Sequence, residues 1–269
     1  MSDSLSHAAL PGVVIAFLLF QVKDLLILII GASFSALLGA HFIILIKSTT
    51  RITSDTAMGL ILAVFFGGGV MLLPIVNRTS SGNQAGLDTF IYGQAASMIG
   101  SDVFLTSVLA GFVILIVMIG FKEWKLYLFD PDFAKGLNLS LNVMNMIYIL
   151  VLVLTIVIGI QAVGVILMSA LLIIPPVSAR HWTHSFRMML WLSGGIGGVS
   201  GAVGTTISAL GTSWPTGPFI VLTSGFIFLI SLFFGTKKGL IVECLIHRKN
   251  KKEVQKQLFS PSVVKGGNP

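Results

Sequence analysis

An all-α protein that crosses a membrane about eight times is the fold class this chain predicts, on three observations. Of its 269 residues, 55% are hydrophobic and only 10% are charged, whereas soluble domains carry about 25% charge. The apolar residues come in continuous runs, mostly near the ~20 residues that cross a hydrocarbon core as a helix. A β-barrel would show ~10-residue alternating segments instead. The cations are also one-sided. With the C-terminus placed inside and sides alternating over eight spans, the outer segments hold only Lys23 and Arg78. The inner segments hold the other fifteen of the 17 Lys and Arg. Such a bias orients a membrane protein, with its basic loops in the cytoplasm, so the net charge of +7 is a topology signal. There is no basic-aromatic pattern of the nucleic-acid-binding kind.

The predicted spans run Asp3–Phe20, Asp24–Ile46, Thr56–Val76, Val103–Phe121, Asn142–Ala162, Val163–Ala179, Met188–Leu210 and Pro218–Phe234. The first lacks a basic leader and begins with an acid, so it does not read as a cleavable signal peptide. Two connections are long. The outer one, Asn77 to Asp102, ends in an apolar stretch from Thr89 to Gly100 that is too short to span and reads as a re-entrant or interfacial helix. The inner one runs from Lys122 to Leu137. Within it, Asp130 has the form of an N-cap with Pro131 at the first helical position, and Gly136 ends a short helix. By itself this segment is either a docking element or a connector lying on the membrane surface. Pro11-Gly12 and Pro175-Pro176 are expected to end or kink their helices. Gly194/Gly198 and Gly197/Gly201 repeat the small-xxx-small spacing of close helix contacts, read here as packing within one subunit rather than a dimer seam. Residues 1–236 form the membrane domain, and 237–269 a basic cytoplasmic tail.

Chemistry concentrates in one place. Asp3 and His7 stand four residues apart at the head of the first span, on one helical face. A carboxylate and an imidazole suit a divalent transition metal. The other nine acids fall in loops, at span ends or in the tail, so Asp3 alone is a candidate buried carboxylate, and burying one is costly without a use. The plainer reading has Asp3 capping the helix at the surface and His7 as a packed polar residue. His41, in the second span, reads first as a satisfied interface histidine and only secondarily as a metal ligand. His181 and His184 form a His-x-x-His pair in a loop, without the glutamate of a zinc-protease motif. The single cysteine, Cys244, excludes an intrachain disulfide framework. No phosphate-binding Gly-x-x-x-x-Gly-Lys-Ser/Thr loop and no Gly-x-Ser-x-Gly elbow is present. Any ATP hydrolysis therefore belongs to another chain, and no bound cofactor is expected here.

Several ordered segments resemble the permease subunit of the ABC importers for manganese, zinc and iron. Ser2-Asp3-Ser4-Leu5-Ser6-His7-Ala8-Ala9-Leu10-Pro11-Gly12 is similar to that family's Gly-Asp-Ala-Leu-Ser-His-Ala-x-Leu-Pro-Gly. The stretch from Phe129 through Asp130, Pro131, Asp132, Phe133, Ala134 and Lys135 to Gly136 and Leu137 resembles its ATPase-coupling segment. Gly164 to Met168, Ile174 to Arg180 and Trp214 to Pro218 also match. The stretch Ala179-Arg180-His181-Trp182-Thr183 looks more like manganese-type members. The resemblance implies a type II ABC importer-like fold in a bacterial cell membrane, with a cytoplasmic coupling helix. It implies a permease dimer around the ion path, a cytoplasmic ATP-binding subunit, and an extracellular metal-binding lipoprotein. Asp3 and His7 would contact the transported ion, Mn²⁺ foremost, with Zn²⁺ or Fe²⁺ next. Family members carry a further membrane helix before this motif. With such a helix ahead of Met1, Asp3 is expected well inside the membrane, and without it near the cytoplasmic face. The alternative function is a secondary transporter or channel for a divalent cation, which predicts no ATPase partner. An intramembrane enzyme would need a second catalytic group facing Asp3 or His7, and the spans hold no such carboxylate.

Overall fold

The structure, a computed structural model, describes residues 1–21, 24–79, 98–211, 214–237 and 239. Among them the regular structure is entirely helical. The helices are α1 (Ser2–Phe20), α2 (Leu25–Thr49), α3 (Ser54–Thr79), α4 (Gly100–Ile119), α5 (Phe121–Phe129), α6 (Pro131–Gly136), α7 (Leu141–Val163), α8 (Val165–Arg180), α9 (Phe186–Leu210) and α10 (Thr216–Phe234). Each predicted span coincides with one of them. Six, α1 to α4, α7 and α10, contain stretches long and apolar enough to cross a membrane. The apolar part of α8, Leu167–Arg180, is shorter, and six glycines dilute the apolarity of α9. The re-entrant segment expected before Gly100 and the tail after Gly239 lie outside the described residues.

Local chemistry sets the helix ends. Asp24 caps α2, its Oδ1 accepting from the Leu26 N–H at 2.9 Å. α1 closes on Gln21 in the left-handed region (φ 53°), whose N–H donates to the Phe17 carbonyl at 2.8 Å. Gly164 separates α7 from α8 at φ 91°, ψ 159°, a backbone state open essentially to glycine alone. Of the two outcomes expected at the prolines, an end or a kink, an end does not occur. Pro11 lies inside α1, and Pro175 and Pro176 inside α8, and none of them ends its helix. In an apolar surrounding a broken helix would strand far more backbone groups than the one donor each proline removes.

The chain divides into two compact units, residues 1–170 with 205–219, and residues 171–204 with those after 219. In the first, α1 is the central helix, packed chiefly on α2 and α3 and also touching α7. Its core is Leu5, Ala8, Ala9, Val13 and Val14 of α1, Ala32, Ala36 and Ala40 of α2, and Val153, Ile156 and Ile160 of α7, all nearly inaccessible. The α1–α2 contact is made by small residues. A Cβ on Gly12 would strike the Gly31 carbonyl oxygen, and one on Gly39 would come within 2.8 Å of the Ala8 Cβ. α4 is the opposite case, with Val113 its one buried residue and Phe104, Phe112, Leu115 and Ile119 exposed. In lipid such a face needs no covering, because hydrocarbon is as apolar as the side chains.

In the second unit, the segment after α8 is tied to the end of α10. The Trp182 indole Nε1–H donates to the Ser231 hydroxyl at 2.9 Å, and the Lys237 N–H donates to the His181 carbonyl at 3.0 Å. α9 and α10 meet where a Cβ on Gly204 would fall within 2.6 Å of the Ile220 backbone nitrogen. The stripe expected to pack within one subunit is only partly met inside this unit: a Cβ on Gly197 would lie 4.0 Å from the Pro175 Cγ, while Gly194 and Gly198 face no side chain of the unit. No atom of its unit lies within 4 Å of where their Cβ atoms would stand, nor at Gly195.

Candidate metal centre

Helical spacing places Asp3 and His7 on one face of the first two turns of α1. Their closest atoms, Asp3 Oδ1 and His7 Nε2, are 3.6 Å apart, beyond an ordinary hydrogen bond. The pair has one closed side and one open side. The His7 side chain is 16% exposed and that of Asp3 49%, so a ligand reaches the carboxylate before the imidazole. Behind the ring, Phe66 of α3 makes an edge contact, centroids 4.8 Å apart and planes at 80°. His7 Nδ1 is buried and has no hydrogen-bond partner. The imidazole is thus held against an aromatic ring with one nitrogen facing a carboxylate, residue types that suit a divalent transition metal.

Two contacts hold this stretch of α1 in position, where one helix bond is missing. Pro11 has no N–H to offer the His7 carbonyl four residues earlier. One residue on, the Ala8 carbonyl accepts the Ser35 hydroxyl of α2 at 2.7 Å, a buried bond between helices. The close approach of Gly12 to Gly31 leaves no room to slide. The seam pairs Ala8, Gly12 and Ala16 with Gly31, Ser35 and Gly39, each set spaced i, i+4, i+8. Reading the sequence by its glycine-rich span missed these residues. The signal was nonetheless available, because the small-xxx-small rule used for α9 finds them.

His41 does not join the pair. It is exposed on α2, its ring 6.3 Å from that of Phe42. His181 Nδ1 lies 2.8 Å from the Val177 carbonyl, engaged by its own helix. Of the acids, Asp24, Asp55, Glu123, Asp130 and Asp132 are exposed at helix ends, and Asp102 lies in the first turn of α4. Among the described residues, no three His, Cys, Asp or Glu side chains gather as a metal site. At this place the described residues of one chain bring together a carboxylate and an imidazole.

The coupling-like segment folds as its residues predict. Asp130 caps α6, its Oδ1 accepting from the Phe133 N–H at 3.1 Å, with Pro131 in the first turn and Gly136 last. Ala134 faces inward and is fully buried, while Phe129, Phe133 and Leu137 are exposed. Asp132 pairs with Lys135 at 3.4 Å in the open, which adds little stability. Next to α6, α5 buries Trp124 alone. Tyr127 donates its hydroxyl to Asn145 Oδ1 of α7 at 3.0 Å. Burial, and then Tyr148 beside it, push the Tyr127 phenol above its ordinary range, so it remains a donor at neutral pH.

Comparison with known proteins points the same way. The model of the ABC 3 transport family matches residues 1–235. The zinc transport system membrane protein TroC of Treponema pallidum is 42% identical over 247 residues, covering 92% of this chain and 83% of that one. The manganese transport system membrane protein MntC of Bacillus subtilis is 39% identical over 245 residues. That match takes in 91% of this chain, which spans 56% of the relative's length. A solved structure of PsaBC from Streptococcus pneumoniae in complex with Fab superposes with a TM-score of 0.77 at 31% identity, covering 88% of this chain and 82% of that one.

Proposed function

This chain belongs to the ABC 3 transport family, and on that premise we propose that it is the membrane-spanning permease of an ATP-driven importer of divalent metal ions, manganese foremost and zinc or iron next. The observation that carries the proposal is the Asp3–His7 pair on α1, 3.6 Å apart. α1 is the most enclosed candidate span, with 67% of its apolar window buried against 44% or less in the others. An ionisable pair on an enclosed membrane helix marks an ion path.

Asp3 and His7 act as transient ligands of the passing ion. Two donors hold a divalent cation weakly, and a second permease subunit doubles them to two carboxylates and two imidazoles, a mixed O/N set suited to Mn²⁺ or Zn²⁺. The Asp3 side, open to 49%, meets the ion first, and His7 completes the set. The chain itself does not hydrolyse ATP. A cytoplasmic ATP-binding subunit docks on α6 through the exposed Phe129 and Phe133, with Asp130 holding the helix start. An extracellular metal-binding lipoprotein supplies the ion. The protein lies multi-pass in a bacterial cell membrane with its C-terminus cytoplasmic, as the fifteen-to-two bias of Lys and Arg supports.

The test is uptake of Mn²⁺ and Zn²⁺, measured in parallel in cells carrying Asp3→Ala or His7→Ala. Each variant is expected to lose at least about tenfold of transport, the order of effect of removing a metal ligand or its immediate support, at normal membrane abundance. Wild-type uptake of both ions in both variants would sink the assignment.

A further inference from the structure

α5 and α6 are too short to cross a membrane, at 9 and 6 residues, yet α5 is fastened to a span by a specific cluster. Trp124 and Tyr127 stand i, i+3 on α5, and Asn145 and Tyr148 stand i, i+3 at the start of α7, so each pair shares a helix face. The three rings form a closed triangle. Trp124 lies 6.2 Å from Tyr148 and 6.5 Å from Tyr127, and the two tyrosines are 6.4 Å apart. The Tyr127 hydroxyl bonds Asn145 Oδ1 at 3.0 Å. Gly120 leaves room for the indole, since a Cβ there would lie 2.7 Å from Trp124 Nε1.

This cluster sits between two parts of the mechanism. On one side α5 packs on α6, the segment with the exposed Phe133. On the other, α7 touches both α1 and α2 and buries Val153, Ile156 and Ile160. α6 also touches α7 directly, but that short helix has only Ala134 buried. We propose that Trp124, Tyr127, Asn145 and Tyr148 are positioning residues that transmit movement of α5–α6 to the span α7, and through α7 to the Asp3–His7 turn of α1. The inference rests on the permease reading above, with an ATP-binding subunit docked at α6. One edge contact, Trp124 on Tyr127, and two tilted ones to Tyr148, joined by a directional hydrogen bond, make a joint that resists rotation, which greasy contact alone does not. A simple aromatic anchor at the membrane surface needs the rings but not the Tyr127–Asn145 bond. That difference separates the two roles.

The experiment uses the full chain, tagged and purified with its ATP-binding subunit, then reconstituted in vesicles with the metal-binding lipoprotein supplied and Mn²⁺ as the probe. Copurification, ATP hydrolysis and Mn²⁺ uptake are read together. Tyr127→Phe keeps the ring and removes the hydroxyl, and Asn145→Leu keeps the volume and removes the acceptor. Both are expected to retain the complex and its hydrolysis within about twofold, while Mn²⁺ delivered per ATP falls about fivefold, the worth of one hydrogen bond. An unchanged ratio of uptake to hydrolysis in Tyr127→Phe overturns the inference and leaves the permease reading standing, whatever Asn145→Leu does. Loss of the complex in Tyr127→Phe also overturns it, by making the cluster part of the docking surface. A wild-type preparation with no copurifying ATPase overturns the permease reading itself, and the inference with it.

Discussion

Two helix faces in this molecule carry small residues at the same spacing and meet different surroundings. On α1 and α2, Ala8, Gly12 and Ala16 lie against Gly31, Ser35 and Gly39 so closely that a Cβ at Gly12 would collide with the Gly31 backbone. On α9, Gly194, Gly195 and Gly198 have nothing of their unit within 4 Å. The first face carries a polar addition, the Ser35 hydroxyl on the Ala8 carbonyl, whereas on α9 the Ser200 hydroxyl bonds the Ile196 carbonyl of its own helix. Small-xxx-small spacing therefore states that backbones are able to approach, and leaves unsaid which backbone does. Where the approach is made, it sits beside His7, and the close contact holds the turn that bears the candidate ligands.

Three substitutions break or sharpen that contrast. Gly12→Val has the largest expected effect. The new side chain overlaps backbone rather than a movable tip, so α1 and α2 must part, at a cost of about 1–3 kcal/mol or more. The melting temperature of the detergent-purified protein should fall, and Mn²⁺ uptake with it. Unchanged values would mean that the seam is not closed in the working protein. Ser35→Ala comes next. It removes one interhelical hydrogen bond without adding volume, worth about 0.6 kcal/mol on average and at most about 1.7 in a membrane. A small drop in melting temperature is expected, and Ser35→Thr should recover part of it through its hydroxyl. Gly198→Ala should be the mildest, within about 0.5 kcal/mol of wild type, since its Cβ enters open space. A drop as deep as that of Gly12→Val would show that something outside its own unit packs the α9 face.

The residues proposed for the metal and for coupling divide along the same line. Asp3 with His7, and Asp130 with Pro131, were legible because their geometry is local. A spacing of four on a helix brings two side chains to one face, and a cap bonds the N–H three residues ahead. The Ser35–Ala8 bond and the Trp124–Tyr127–Tyr148 triangle with Asn145 were not legible, because each joins residues 18 or more positions apart. At the prolines the sequence left an end or a kink open, and in apolar surroundings the helix continues past them.

By itself the amino-acid sequence determined that this chain is helical and embedded in lipid. Long apolar runs with scarce charge leave the backbone no other way to satisfy its hydrogen bonds in hydrocarbon. It also determined the i, i+4 placement of Asp3 and His7, which needs nothing beyond one helix. Only the tertiary structure decided that α1 is the enclosed span, that Phe66 stands behind His7, and which of two stripes of small residues is filled. Packing depends on what stands opposite, and apolar residues facing lipid look the same in sequence as apolar residues facing each other.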